Sequence, residues 1–344
     1  MNNVLKTIFA FSFGVVASSA YADRDEDQEA GQELLLYPSD TSALFVPAGH
    51  AFEKLRFLSL GLLRGRAQLT VGEAEVAATA SGFAVFGLSE PFDKGMGTMR
   101  LGYESKMQEI KSAIKIPVSG LDGPVKASQK FEGESTSILV SFLADDNLAV
   151  GAKISSINEQ SRLSVPDSDA SDESILYNMF EFSAAMRKSG IEYVFSYTPG
   201  ANLRDGSLES NEEPAVSLGA TLMRERFNLS AGIGLHAYNS IDKEYDDKAS
   251  FVVGMEGKVT DEKRFAFVAE YQPKYYKSVD GFDFGSIGGT NVGAMYKDRF
   301  DNSMQAELAY HVQLKSTKSE TDESGTTKLS SENSQFVVNL KYYF

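Results

Sequence analysis

Gln335-Phe336-Val337-Val338-Asn339-Leu340-Lys341-Tyr342-Tyr343-Phe344 closes the chain. In an extended strand successive side chains point to opposite faces. Phe336, Val338, Leu340, Tyr342 and Phe344 then share one face, and Gln335, Val337, Asn339, Lys341 and Tyr343 share the other. The first face is apolar and ends in aromatic rings. The second is mostly polar. Two all-β architectures show this two-residue period: a sandwich that hides the apolar face in a core, and a transmembrane barrel that turns it to lipid and its polar face to a lumen.

The pattern recurs through most of the chain. Met99, Leu101 and Tyr103 alternate with Arg100, Gly102 and Glu104; Phe180, Phe182 and Ala184 with Glu181 and Ser183; Phe227, Leu229, Ala231 and Ile233 with Asn228, Ser230 and Gly232; and Met304, Ala306, Leu308 and Tyr310 with Gln305, Glu307 and His311. From about residue 55 onward such segments number about fourteen. Residues 81–88 are nearly all apolar, so their facing is ambiguous. A terminal Phe344 after an aromatic-ended face is the pattern of the closing strand of a bacterial outer-membrane barrel, and implies the barrel-assembly machinery as a partner.

The other end agrees. Residues 1–22 read as a secretory signal peptide, with Lys6, an apolar run over about 7–17, and Ala20-Tyr21-Ala22 as a small-x-small cleavage site. That run is too short for a membrane-spanning helix, which needs about 20 residues. The chain has no Cys, so disulfides, thiolate metal sites and Cys nucleophiles are excluded. Its formal net charge of -15 argues against a nucleic-acid partner.

Connection lengths separate the two architectures. Bacterial barrels have an even strand number, short periplasmic turns and long external loops. Short connections are expected near 90–95, 144–147, 187–190, 223–226, 260–263 and 298–302. Long ones are expected near 71–79, 108–128, 161–173, 199–213, 239–248, 275–285 and 316–333. A sandwich has no reason to alternate in this way. The predicted fold is an all-β, transmembrane antiparallel β-barrel of about 14 strands over 55–344, with residues 23–54 as an N-terminal plug. About eight strands leave a lumen that side chains fill, and sixteen to eighteen leave an aqueous channel. Fourteen lies between, so such a lumen needs an occupant.

Residues 23–54 supply it. The segment is rich in apolar residues, including Leu34, Leu36, Phe45, Val46 and Pro47, which are the candidate gate. Asp40-Thr41-Ser42-Ala43-Leu44-Phe45-Val46-Pro47-Ala48-Gly49 resembles the hatch of the FadL family of hydrophobic-compound transporters. The resemblance implies a fourteen-stranded barrel with an N-terminal hatch and passive uptake of long-chain fatty acids or similar apolar molecules. It implies no cofactor.

Candidate ligand contacts follow from the residues. Met107, Ile110 and Ile114 recur at helical spacing at the start of the long 108–128 connection and are followed by Val118; such an apolar patch on an external loop either captures an apolar solute or packs the loop onto the rim. Arg100 and Lys153 face inward by alternation and could pair with a carboxylate, or balance luminal acids. His236 and His311 also face inward, but no nucleophile motif accompanies them, so no catalytic residue is assigned. Acidic clusters in the long connections, such as Asp242, Glu244, Asp246 and Asp247, lack the Gly and terminal Glu of a calcium loop, and no metal site is assigned. Outer-membrane lipids and lipopolysaccharide are the expected surroundings. A diffusion porin for small hydrophilic solutes and a structural or adhesive barrel remain the rival readings.

Overall fold

A computed structural model describes residues 46–344, apart from short stretches at strand connections, the longest being 237–248. The expected plug residues Leu34, Leu36 and Phe45, the signal peptide, and Val118 lie outside the described residues.

Fourteen antiparallel strands form the wall. They are β1 (Phe57–Val71), β2 (Ala74–Leu88), β3 (Thr98–Ile116), β4 (Val125–Asp145), β5 (Leu148–Ser164), β6 (Ser171–Lys188), β7 (Ile191–Thr198), β8 (Ala215–Met223), β9 (Phe227–His236), β10 (Ala249–Lys258), β11 (Lys263–Gln272), β12 (Gly289–Arg299), β13 (Met304–Gln313) and β14 (Gly325–Tyr343). Each pairs with its neighbours in sequence, and β1 pairs with β14 from Phe57↔Tyr343 to Val71↔Leu329. The sheet therefore closes on itself. No helix among the described residues is long and apolar enough to cross a membrane; a closed antiparallel sheet can cross because its strands satisfy one another's backbone groups.

The faces follow the alternation. Phe336, Leu340, Tyr342 and Phe344 of the last strand are all exposed on the outside, as are Leu58, Leu60 and Leu62 on β1 and Phe265 and Phe267 on β11. Inside lie Ser59, Glu104, Glu256, Asn291, Glu307, Gln335, Asn339 and Lys341, all buried. This arrangement is inverted relative to a soluble sandwich, where large apolar side chains would be the buried ones. The ambiguous 81–88 segment resolves with Ala84, Phe86 and Leu88 inward and Phe83 outward.

One end of the barrel has tight turns. β6 and β7 are joined through Ser189 (φ 55°) and Gly190 (φ 74°), the positive-φ pair of a two-residue hairpin. Between β4 and β5, the Asp145 carboxylate accepts from the backbone N–H of Asn147 (2.8 Å) and of Leu148 (2.9 Å). The first residue of β1 and the last of β14 lie at this same end, which is the periplasmic one.

The other end is lopsided, and here the sequence reading needs correction. The expected long connections at 71–79, 108–128 and 161–173 are mostly strand. β1 and β2 stay paired to Val71↔Ala74, and β3 and β4 to Ile116↔Val125. The strands β3 to β6 run 17 to 21 residues, against about 9–11 needed to span a bilayer. β7 has 8. A tall wall made of β14 and β1–β6 thus rises beyond the membrane on one side only. Above the lipid a strand's outward face meets water, so it carries charges. The ladder continues while its apolar alternation stops, and the sequence then reads as loop. Outward ion pairs mark this zone: Lys111–Glu109 at 2.8 Å, Lys130–Glu109 at 3.2 Å and Lys130–Glu132 at 2.7 Å. The hydrogen bond from Lys111, seconded by Lys130, holds the Glu109 carboxyl below its ordinary pKa. A depressed carboxyl contributes stability above its unfolded-state pKa and loses it as pH falls through the lower, folded value.

Other external connections also form β structure. Asn202–Asp205 pairs with Leu208–Asn211, Tyr275–Val279 with Phe282–Ser286, and Ser316–Asp322 with the upper part of β14.

The lipid-facing band makes a direct prediction. Leu340→Arg, near the middle of the outward apolar face of β14, should cost about 2–4 kcal/mol, whereas Thr136→Arg, outward on β4 above Ile138, should cost no more than about 1 kcal/mol. Urea unfolding of the protein refolded into liposomes measures both.

Candidate functional site

The lumen is occupied near its periplasmic end. Pro47–Phe52 forms a single 3₁₀ turn in which every residue is buried. Pro47 opens it, where a fixed φ and a missing N–H cost nothing. Val46, Ala48, Ala51 and Phe52 pack against Leu143, Ala149, Ala185 and Val194 of the wall. The Ala48 N–H donates to the Ser183 hydroxyl at 2.8 Å. His50 stacks on Phe86 with ring centroids 5.1 Å apart. The Arg187 guanidinium lies 4.1 Å from the centroid of Phe52 while its Nε donates to Glu192 at 2.8 Å.

The wall is cut to fit this turn. Gly151 faces inward on β5, and a Cβ there would sit 2.4 Å from the Ala48 nitrogen and 2.6 Å from the Pro47 carbonyl carbon. Both are backbone atoms that a side-chain rotation cannot move. A glycine inside a strand marks such a close approach.

Arg100 completes the anchorage. It is fully buried. Its guanidinium donates to the carbonyls of Glu53 and Leu55 on the plug side, and to the Ser89 carbonyl through Nη2 (2.6 Å) and Nε (3.1 Å). One planar fork thus ties the exit of the plug to the turn after β2. Lys153 binds Glu104 at 3.0 Å, and Lys106 binds the same carboxylate at 3.2 Å. Both inward cations singled out in the sequence are therefore engaged inside the protein, one by the plug and one by a wall acid.

The opposite side of the lumen is polar and knitted together. Glu256 accepts from Arg264 at 2.9 Å and lies 3.6 Å from Lys297. Glu307 accepts from Gln305 at 2.6 Å and from Asn339 at 3.1 Å, and Ser59 donates to Asn339 at 2.6 Å. Lys341 sits 3.8 Å from the ring centroid of Phe57. The contacts link Glu256 with two cations and Glu307 with two amides across neighbouring strands.

Of the four apolar capture residues, the structure brings two together and separates a third. Residues 107–116 are strand rather than helix. Ile110 and Ile114 lie on the inner face of β3, each 1% exposed, whereas Met107 points outward at 54%. Ladder pairing builds an apolar surface around the two isoleucines: Ala80–Ile110–Phe131 in one row and Val76–Ile114–Ala127 in another, with Ala78, Ser112 and Gln129 between them. All of these side chains are buried. Val76, Phe131, Gly151, Ser183 and Phe86 were not singled out from the sequence. For Gly151 a signal existed, a lone glycine within an alternating strand. For the others, partnership depends on register between strands distant in sequence.

Among the described residues, no group of three or more His, Asp or Glu side chains could hold a metal ion. His311 is buried on the inner face of β13.

These features define the class: a bacterial outer-membrane β-barrel of fourteen strands with an inward-folded N-terminal segment. No protein-family model and no curated protein matches the sequence. Solved structures do match the fold. The toluene transporter TodX of Pseudomonas putida aligns with TM-score 0.68 at 12% identity, over 90% of this chain and 95% of that one. A FadL homologue from Pseudomonas aeruginosa aligns with TM-score 0.61 at 14% identity, over 94% and 99%. The monoaromatic hydrocarbon channel CymD aligns with TM-score 0.54 at 10% identity, over 88% and 92%. The architecture is thus that of the FadL-type channels.

The close approach at Gly151 tests the seat of the plug. Gly151→Val should dislodge the 3₁₀ turn and give a steady ohmic conductance in planar bilayers, where the parent protein should be nearly silent. Gly257→Ala on β10, whose added Cβ meets nothing within 4 Å, should leave the trace unchanged.

Proposed function

We propose that this barrel is a passive outer-membrane channel for small hydrophobic compounds. The observation that carries the reading is the buried turn Pro47–Phe52, seated against Gly151 and tied by Arg100, which takes up lumen space that a simple water-filled passage would use. A porin for hydrophilic solutes needs that space open. The inner apolar surface of the tall wall, centred on Ile110 and Ile114, supports the same reading, because it offers an apolar foothold above the lipid. In this conformation those side chains are covered, so solute entry requires their cover to shift.

Neutral hydrocarbons fit better than fatty acids. A carboxylate would have to draw Lys153 away from Glu104, leaving that buried acid with Lys106 alone, or draw Arg100 away from the Glu53 and Leu55 carbonyls, leaving buried acceptors without this donor. A hydrocarbon requires neither. TodX and CymD are described as carriers of toluene and monoaromatic hydrocarbons, which agrees with that preference. Movement of Val46 and Pro47 away from the β5 wall opens the path.

Uptake of radiolabelled toluene by cells expressing the protein tests the proposal. The double change Ile110→Asn with Ile114→Asn should lower uptake at sub-saturating solute about tenfold or more, since each isoleucine contributes about 1.5–3 kcal/mol of apolar burial. Laurate uptake should be weak throughout. Rapid permeation of a sugar through the parent protein in swelling assays would replace this reading with the porin one.

A further inference from the structure

A second feature lies on the outer surface and plays no part in transport. Leu58, Leu60 and Leu62 form the lipid-facing stripe of β1. The next two residues on the same face are Arg64 and Arg66, both exposed. Their outward cross-strand neighbours carry no charge. Arg64 lies between Ser81 of β2 and Phe336 of β14, and Arg66 lies between Thr79 and Ser334. Neither arginine makes an ion pair or hydrogen bond among the described residues. This is unusual for the chain, which carries a formal charge of -15 and pairs the neighbouring wall lysines Lys111, Lys115 and Lys130 with glutamates.

The surface around the pair is concave. A groove of about 900 Å³ runs along the outside of the wall, with Arg66, Thr79 and Ser334 on its border. Its floor includes Ala77, which is paired with Ala113 on the adjoining strand. Leu314 edges one end, and Glu332 is its one acidic neighbour on β14. The small alanines leave the depression, and the hydroxyls supply donors beside the cations. Below it, Leu62, Phe83 and Phe336 continue the lipid-facing surface.

Height decides what can occupy such a site. The pair sits immediately above the apolar band, at the end of the barrel away from the termini, which is the level of the outer-leaflet headgroups. Two guanidiniums two residues apart, with flanking hydroxyls, match the oxygens of a phosphate monoester. The apolar side chains beneath match acyl chains hanging from the same molecule.

We propose that Arg64 and Arg66, with Thr79, Ser81 and Ser334, bind the phosphate of an outer-leaflet glycolipid of the lipid A type, and that the groove holds part of its headgroup. The lipid's chains lie against Leu60, Leu62 and Phe336. Affinity then comes from the phosphate and the chains together, so inorganic phosphate alone is a poor ligand.

Native mass spectrometry of the detergent-solubilised protein tests this with three probes: bisphosphorylated lipid A, the same lipid after phosphatase treatment, and inorganic phosphate. The parent protein should bind the phosphorylated lipid best. The double variant R64Q/R66Q should bind it about tenfold or more weakly, the loss expected when two charge-assisted contacts go. Lys126→Gln, exposed on the outer face of β4 away from the groove, should bind as the parent does. Unchanged heat-modifiable migration on gels shows that each variant keeps its barrel. The proposal is overturned if R64Q/R66Q binds like the parent, if K126Q loses as much, if dephosphorylated lipid binds equally well, or if inorganic phosphate binds as tightly as the lipid.

Discussion

The ladder between β1 and β14 is the constraint on which everything else rests. In a hydrocarbon environment an unpaired backbone N–H or C=O costs several kcal/mol, so a sheet with free edges cannot cross. Joining Phe57 to Tyr343 removes both edges at once. After closure, the two faces of every strand have different solvents for the whole height of the membrane. Outward Leu, Phe and Tyr and inward Ser, Glu, Asn and Lys then follow at each position. Closure by fourteen strands also fixes a lumen too wide for the wall's own side chains to fill.

That excess width gives the plug its role. The Pro47–Phe52 turn fills only part of the section, on the side of β3 to β7, and it does so by close backbone approach and one buried arginine rather than by a large apolar core. On the far side Glu256 meets Arg264, and Glu307 takes its hydrogen bonds from Gln305 and Asn339 of the wall itself. The lumen is thus divided between a packed, anchored half and a polar half. A segment held by a few local contacts on one side can shift without disturbing the barrel.

The tall wall follows from the same solvent argument. Once a strand clears the lipid its outer face is free to carry Glu109, Lys111, Lys130 and Glu132, while its inner face keeps Ile110, Ile114 and Phe131. The inside and outside have exchanged character: apolar within, charged without. This reversal above the membrane places an apolar surface inside the end of the barrel away from the termini. It also leaves Arg64 and Arg66 at the boundary, where the stripe of leucines ends.

The sequence by itself determined the two-residue period, the sign of most faces within the lipid, a wall of about fourteen crossings and the presence of an apolar segment ahead of the first strand. These are local properties, because lipid and water impose their choice residue by residue. It misread the upper wall as loop, since a strand with water on its outer face no longer advertises its period. It also read Met107, Ile110 and Ile114 as one helical stripe, when pleating sends the first outward and the other two inward. Only the tertiary structure decided that Gly151 backs the plug, that Arg100 serves Glu53 and Leu55 rather than an open lumen, and that Ile110 meets Phe131. Each of these depends on register between distant segments, which barrel closure sets and no local pattern encodes.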